Sequence, residues 1–174
     1  MAAPLLQFVH PALEKSRVNR RLLERAKGLE AVTVNDLYES YPDFCIDAAH
    51  EQSLMEAHES IVFQFPLYWY SSPALLKEWF DIVLQYGWAY GSTGTALVGK
   101  TARLAVTTGA PAESYSREGH NGFTMEELLR PIQCTLELCG MEVGKPFFAH
   151  GAMHLDQSEM ERITQTYEIW LLED

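Results

Sequence analysis

The sequence predicts an α/β domain, with a mostly parallel, five-stranded sheet doubly wound by helices on both faces. Three observations predict it. Short apolar runs alternate with segments whose apolar residues recur every three or four positions. Capping residues open several of the helical segments. No repeat, low-complexity tract or linker interrupts the alternation, so a single domain is expected over residues 1–174.

Leu5 to His10 (LLQFVH) is a short apolar run that reads as a buried first strand. A loop follows, then a helix from about Asn19 to Gly28, on which Val18, Leu22, Ala26 and Leu29 recur at helical spacing. Ala31 to Leu37 supplies a second strand through its β-branched residues. Asp47 can cap a helix reaching about Ala57. Ser60 to Phe65 is the third strand, ended by Pro66. Ser72 as N-cap and Pro73 in the first turn open a helix carrying Leu75, Leu76, Trp79, Ile82 and Val83 on a wide apolar face. Ala102 to Thr107 is the fourth strand. Thr124 and Glu127 form a capping box. The helix behind it contains Pro131, where a kink or restart is expected, and Gly140 ends it. Phe147 to Ala149 is a weak fifth strand. Asp156 with Glu159 caps a last helix that packs through Met160, Ile163, Tyr167 and Trp170.

Composition excludes several function classes. A net charge of −11 repels nucleic-acid phosphates and anionic membrane surfaces. No apolar run approaches the roughly 20 residues of a membrane helix. Met1 to Val9 lacks a basic n-region and reads as a strand, not a leader, which makes the cytoplasm the expected compartment. Cys45, Cys134 and Cys139 form no CxxC and are expected as buried free thiols. His150 and His154 have no carboxylate or cysteine at ligand spacing, so no metal is expected.

A doubly wound sheet binds ligands beyond the carboxyl ends of its strands. The loops after His10, Phe65 and Thr107 should therefore converge. The first, His10 to Arg20, places Ser16, Asn19, Arg17 and Arg20 at a helix start that suits a phosphate monoester, although an ordinary capped helix uses the same residues. The second, Pro66 to Pro73, holds Tyr68, Trp69 and Tyr70 in succession. They cannot all point inward, and flat aromatic walls suit a flat ring or an interface. The third, Thr107 to Tyr115, begins with small residues whose backbone N–H groups could stabilise negative charge, and Tyr115, His120 and Asn121 follow in a glycine-containing loop. Taken alone, His120 reads as a solvent-exposed loop histidine. Gln85 to Gly91 adds Tyr86, Trp88 and Tyr90. So many aromatics at surface positions point to a homodimer with shared sites.

Together these segments resemble the flavodoxin-like NAD(P)H dehydrogenase (quinone) family. The resemblance rests on His10-Pro11 with Ser16-x-x-Asn19-Arg20, Phe65 to Tyr70, Pro73 to Asp81, Gly87 to Gly91, Thr107-Thr108-Gly109, and Pro131-Ile132-Gln133 with Cys139-Gly140. Length and Tyr41-Pro42-Asp43-Phe44 are similar to the short bacterial branch, which includes ancillary subunits of glutathione-regulated potassium efflux systems.

The resemblance implies a flavodoxin-like three-layer fold with strand order 2-1-3-4-5, and a flavin at a homodimer interface. It implies a phosphate site at Ser16, Val18 and Asn19 beside His10. It sets the isoalloxazine against Pro66, Leu67, Tyr68, Trp69 and Tyr70, and against Thr107, Thr108 and Gly109. Tyr115 and His120 match a tyrosine and histidine near the flavin and are the catalytic candidates. Ala110 stands where the family commonly has a second glycine, and Pro111 stiffens the loop. The implied activity is a ping-pong NAD(P)H:quinone oxidoreductase, with NADPH or NADH as hydride donor. FMN is expected over FAD because the chain ends at Asp174, soon after its last helix. The alternatives are a flavodoxin-type electron carrier and a regulatory subunit held at the inner membrane by a potassium efflux transporter.

Overall fold

The computed structural model describes residues 3–173; Met1 and Ala2 of the expected N-terminal strand segment, and Asp174, lie outside the described residues. The described strands are β1 (Leu5–Phe8), β2 (Thr33–Asp36), β3 (Ser60–Pro66), β4 (Thr101–Thr107), β5 (Glu142–Val143) and β6 (Phe147–Ala149). The helices are α1 (Arg17–Lys27), α2 (Leu37–Ser40), α3 (Ala48–Glu56), α4 (Ala74–Val83), α5 (Met125–Leu138) and α6 (Gln157–Leu172). The sheet runs β2-β1-β3-β4-β5, with β6 also on β4, and every pairing is parallel.

The single fifth strand expected from the sequence is in fact two. β5 pairs with Thr101 and Ala102, and β6 with Ala105 to Thr107, so the two pieces share one edge position. Between them lies Gly144-Lys145-Pro146, and proline has no N–H to give the ladder. Alternation along the strands divides the core. Leu5, Ile61, Phe63 and Leu104 face α3, α4 and α5, while Leu6, Phe8, Val62 and Ala105 face α1 and α6.

Several element boundaries move, for local reasons. Ser16 caps α1 by accepting from the Asn19 N–H, so the helix starts at Arg17 and not near Asn19. β2 is shorter than Ala31 to Leu37, because the Asp36 side chain caps α2 and draws Leu37 into a helix. Pro73, extended at ψ 150°, is itself the N-cap of α4, so Ser72 does not cap it. α5 runs through Pro131 without a restart, with the Thr135 hydroxyl donating to the Pro131 carbonyl. Both capping boxes form as expected. Cys139 is buried, but Cys45 and Cys134 are exposed, against the expectation of three buried thiols.

One side chain ties the layers together. Glu51 on α3 is fully buried. Its carboxylate accepts from Gln7 Nε2 on β1 (2.9 Å), Asn35 Nδ2 on β2 (2.9 Å), the Tyr41 hydroxyl (2.8 Å) and Trp79 Nε1 on α4 (2.8 Å). Burial, reinforced by the Glu51 carboxylate, pushes the Tyr41 phenol well above its ordinary value and keeps it a donor. Glu51→Gln puts an amide NH2, itself a donor, where one of the accepting oxygens stood, and each of these donors left unpaired costs about 1–3 kcal/mol. Trp79→Phe removes one donor and keeps most of the packing. Urea unfolding should therefore show a larger loss for Glu51→Gln than for Trp79→Phe; equal midpoints for Glu51→Gln and the wild type would contradict this account.

Candidate functional site

The carboxyl ends of β1, β3 and β4 open onto a cleft of about 490 Å³. The three loops converge there. His10, Ser16, Val18 and Asn19 come from the first, Pro66, Leu67 and Tyr68 from the second, and Thr107, Thr108 and Gly109 from the third. Ala12, Lys15, Arg17, Ala152 and Met153 complete the wall. Trp69 and Tyr70 do not line it, and neither do Tyr115 and His120.

The first loop is built by a 3-10 turn, Leu13–Lys15, which delivers Ser16 to the start of α1. Asn19 donates from Nδ2 to the Ser16 hydroxyl (3.2 Å) and to Thr107 Oγ1 (2.8 Å), locking loop one to β4. Its Oδ1 is buried without a partner among the described residues. The Ser16 hydroxyl occupies only one of the first-turn amides of α1, so others remain as donors beside Lys15 and Arg17. His10 Nδ1 accepts from the Ala12 N–H (3.1 Å), which leaves the ring proton on Nε2. Burial holds its pKa below the ordinary 6.5, against the opposing charge of Glu14.

In the second loop, Tyr68 and Ser71 exchange backbone hydrogen bonds of 3.0 Å each way around a two-residue turn. Trp69 (φ 51°) and Tyr70 (φ 61°) both sit in the left-handed region, the geometry of a type I′ turn. Such a conformation costs a non-glycine residue about 1–3 kcal/mol. The turn sends Tyr68 toward the cleft, edge-on to His10, and leaves Trp69 94% exposed. The Tyr70 hydroxyl reaches Asn121 Oδ1 at 3.4 Å. Trp88 and Tyr90, expected at the surface, are half-buried against the core, and Trp88 Nε1 donates to Glu56. Tyr86 is exposed as expected.

The third loop differs from expectation in one respect. The Thr108 N–H donates to the Ala149 carbonyl (3.0 Å), so it is not available to a ligand. Gly109 is exposed on the cleft, and a Cβ built there would meet nothing nearer than Met153 Sδ at 3.8 Å. His120 is exposed and makes no hydrogen bond among the described residues. Tyr115 instead stacks on His150, with centroids 5.5 Å apart. His150, which the sequence offers only as a metal ligand and not as a neighbour of this cleft, is brought beside Thr108 and Tyr115. Its position directly after β6, at a strand's carboxyl end, was the available signal. No cluster among the described residues could hold a metal ion, and no described helix is long and apolar enough to cross a membrane.

Comparisons agree with this architecture. A family model described as flavodoxin-like fold matches residues 5–171. An uncharacterized NAD(P)H oxidoreductase, YrkL of Bacillus subtilis, is 47% identical over 157 residues, 90% of each chain. The glutathione-regulated potassium-efflux system ancillary protein KefG of Cronobacter sakazakii is 46% identical over 98% of this chain and 92% of its own. Among solved structures, general stress protein 14 of Treponema denticola in complex with FMN superposes with a TM-score of 0.93 at 41% identity, covering 97% of each chain. An NADPH-quinone reductase of P. pentosaceus reaches 0.89 at 28% identity over 98% of each. A structure described as a thermophilic tryptophan halogenase of Streptomycin violaceusniger reaches 0.95 at 46% identity, over 98% of this chain and 99% of that one.

His10 and His150 are both held neutral mainly by burial, and Glu126 and Glu113 act weakly the other way on His150. A folded-state pKa below the unfolded value means the unfolded chain binds the proton better. These rings therefore contribute stability that is fully present above pH 6.5 and lost as pH falls through their folded values. Imidazole NMR should give both midpoints below 6.5, and unfolding free energy should fall with acidification in that window. A midpoint above 6.5 for either ring would contradict the assignment.

Proposed function

The chain belongs to the flavodoxin-like fold family, and on that premise we propose that it is an FMN-dependent NAD(P)H:quinone oxidoreductase working as a homodimer in a ping-pong cycle. The observation that carries this is the cleft at the carboxyl ends of β1, β3 and β4. At about 490 Å³ it lies within the roughly 300–1,000 Å³ of small-molecule sites.

The residues present fit FMN. The first-turn amides of α1, with Ser16, Lys15 and Arg17, would take its phosphate, as helix starts do for anions. The orphaned Asn19 Oδ1 is an acceptor that a ligand hydroxyl would satisfy, as the ribityl chain offers. Gly109 leaves open the space that a side chain would fill, and Leu67 and Tyr68 supply apolar wall. Relatives named as an NAD(P)H oxidoreductase and an NADPH-quinone reductase, and a neighbour solved with FMN, support the reading. The halogenase description attaches to one neighbour and does not enter it.

Bound FMN would supply reversible two-electron chemistry between NADPH or NADH and a quinone. The chain's own groups divide the remaining work. Neutral His10 presents an Nε2–H donor beside the phosphate end. The Gly109 amide, which donates to no described residue and lies on the cleft wall, can face developing negative charge. Tyr115, with His120 nearby in sequence, serves proton and hydrogen-bond needs on the acceptor side. The strained turn holds Trp69 outward as an anchor for the second subunit, in keeping with the weight of exposed tryptophan at interfaces. A second role, as ancillary partner of a membrane potassium efflux transporter, is favoured by the KefG relatives and would place the protein in the cytoplasm at the inner membrane.

Extraction of the purified protein should yield FMN, and the protein should oxidise NADPH or NADH only with a quinone present. Ser16→Ala with Asn19→Ala removes two polar contacts and should weaken FMN at least about tenfold. FAD as the main extract, or unchanged FMN retention in the double variant, would contradict the assignment. Trp69→Ala should shift sedimentation from dimer toward monomer and remove the concentration dependence of the thermal midpoint, with secondary structure unchanged because it empties no core. A wild type that sediments as a monomer would refute the dimer.

A further inference from the structure

His150 lies between the cleft and Tyr115. Its Nδ1 is 2.9 Å from the Thr108 hydroxyl, and Thr108 lines the cleft. Its ring stacks on Tyr115 at 5.5 Å and 29°, with Phe148 tilted at 5.5 Å as a third ring. The Thr108 hydroxyl fixes the direction of the shared proton. It donates to the Ala110 carbonyl at 2.8 Å, so it has no proton left for the imidazole. Nδ1–H is therefore the donor, and Nε2 of the neutral ring carries no proton.

We propose that His150 is a positioning residue that joins the two halves of the site, seating Tyr115 by stacking while its Nδ1–H fixes the Thr108 hydroxyl. The proposal rests on the oxidoreductase reading, in which Tyr115 serves the acceptor side. It replaces the pairing of Tyr115 with His120 that the sequence suggests, since His120 is exposed and makes no hydrogen bond or ring contact with the tyrosine among the described residues. The Tyr115 hydroxyl makes no hydrogen bond among the described residues, so its ring is held by packing and its oxygen is left for a ligand. Backbone bonds secure the loop independently. Thr108 N–H donates to Ala149 (3.0 Å), Ala152 N–H to Thr108 (2.9 Å) and Gly151 N–H to Ala110 (2.9 Å). Removing the imidazole should leave the fold intact and release three side chains, Thr108, Tyr115 and Phe148.

The test is a double-mutant cycle on FMN-loaded protein turning over NADPH and a quinone. His150→Ala and Tyr115→Phe should each lower kcat about tenfold with KM for NADPH changed less than about twofold. Because the histidine acts through the tyrosine, the double variant should match His150→Ala within about twofold. Additive losses, or a His150→Ala protein as active as the wild type, would overturn the role. The seat itself is read without cofactor: in the apoprotein, Tyr115→Leu should move the His150 ring resonances in NMR and leave those of His10 in place. Unmoved His150 resonances would overturn the stack whatever the enzyme does. A wild type that binds no FMN would instead sink the oxidoreductase reading, and the catalytic role with it, while the resonance shift still decides the seat.

Discussion

Glu51 brings a carboxylate into a core where its partners are all neutral donors. Four of them, from β1, β2, the connection after α2, and α4, converge on its two oxygens. Taking a carboxylate out of water costs several kcal/mol. Hydrogen bonds to a charged acceptor, each worth about 1.5–3 kcal/mol, offset that cost only if all are made together. The geometry is therefore demanding. Gln7 and Asn35 pin the register of the two strands at one edge of the sheet. Tyr41 pins the connection into α3, and Trp79 pins α4. The site inherits this order, since β1 ends at the loop bearing His10 and α4 begins just past the aromatic turn.

The layers and the cleft were legible because they follow from local rules. Apolar runs of strand length, caps such as Thr124 with Glu127, and loops at the carboxyl ends of strands are all sequence-local. The three loops meet in one cleft as those rules require. What was not legible depended on partners distant in the chain. Glu51 sits one helical turn after the cap Asp47, among Ala, His, Gln and Ser, where a glutamate ordinarily faces solvent. Lys100 and Arg103 likewise look like strand-end and strand charges. In the fold they are buried and cap helices instead, Lys100 donating to the carbonyls of Glu56, the last residue of α3, and of His58 beyond it, and Arg103 to those of Trp170 and Leu171 on α6. Trp88 reads as a surface residue from its glycine and tyrosine neighbours, yet Glu56 and the core hold it half-buried.

The aromatic turn shows a different kind of illegibility. Two left-handed residues in succession ordinarily call for Asn-Gly or Gly-Gly. Trp69-Tyr70 breaks that rule, and the sequence therefore reads as an aromatic loop with no specified turn. The backbone bonds between Tyr68 and Ser71 close the turn in spite of its side chains. Local rules are most often broken where function imposes its own demand. Here the break separates three consecutive aromatics into one facing the cleft, one wholly outward and one reaching Asn121.

That separation, with the stack beneath Tyr115, gives the site two unequal halves. The half proposed to take the phosphate is built of short-range order: a 3-10 turn, a helix cap and an Asn19 bridge to β4. It can be rigid before any ligand arrives. The other half is held by side-chain contacts across loops, Tyr70 to Asn121 and Tyr115 to His150, with little secondary structure of its own. Such segments open at the lowest free energy in a fold. A tightly held cofactor and exchangeable substrates make different demands, and the division matches them. The half proposed to hold the cofactor is anchored to β1, β4 and α1, while the half proposed to exchange substrates is joined to the sheet chiefly through the residues that follow β6.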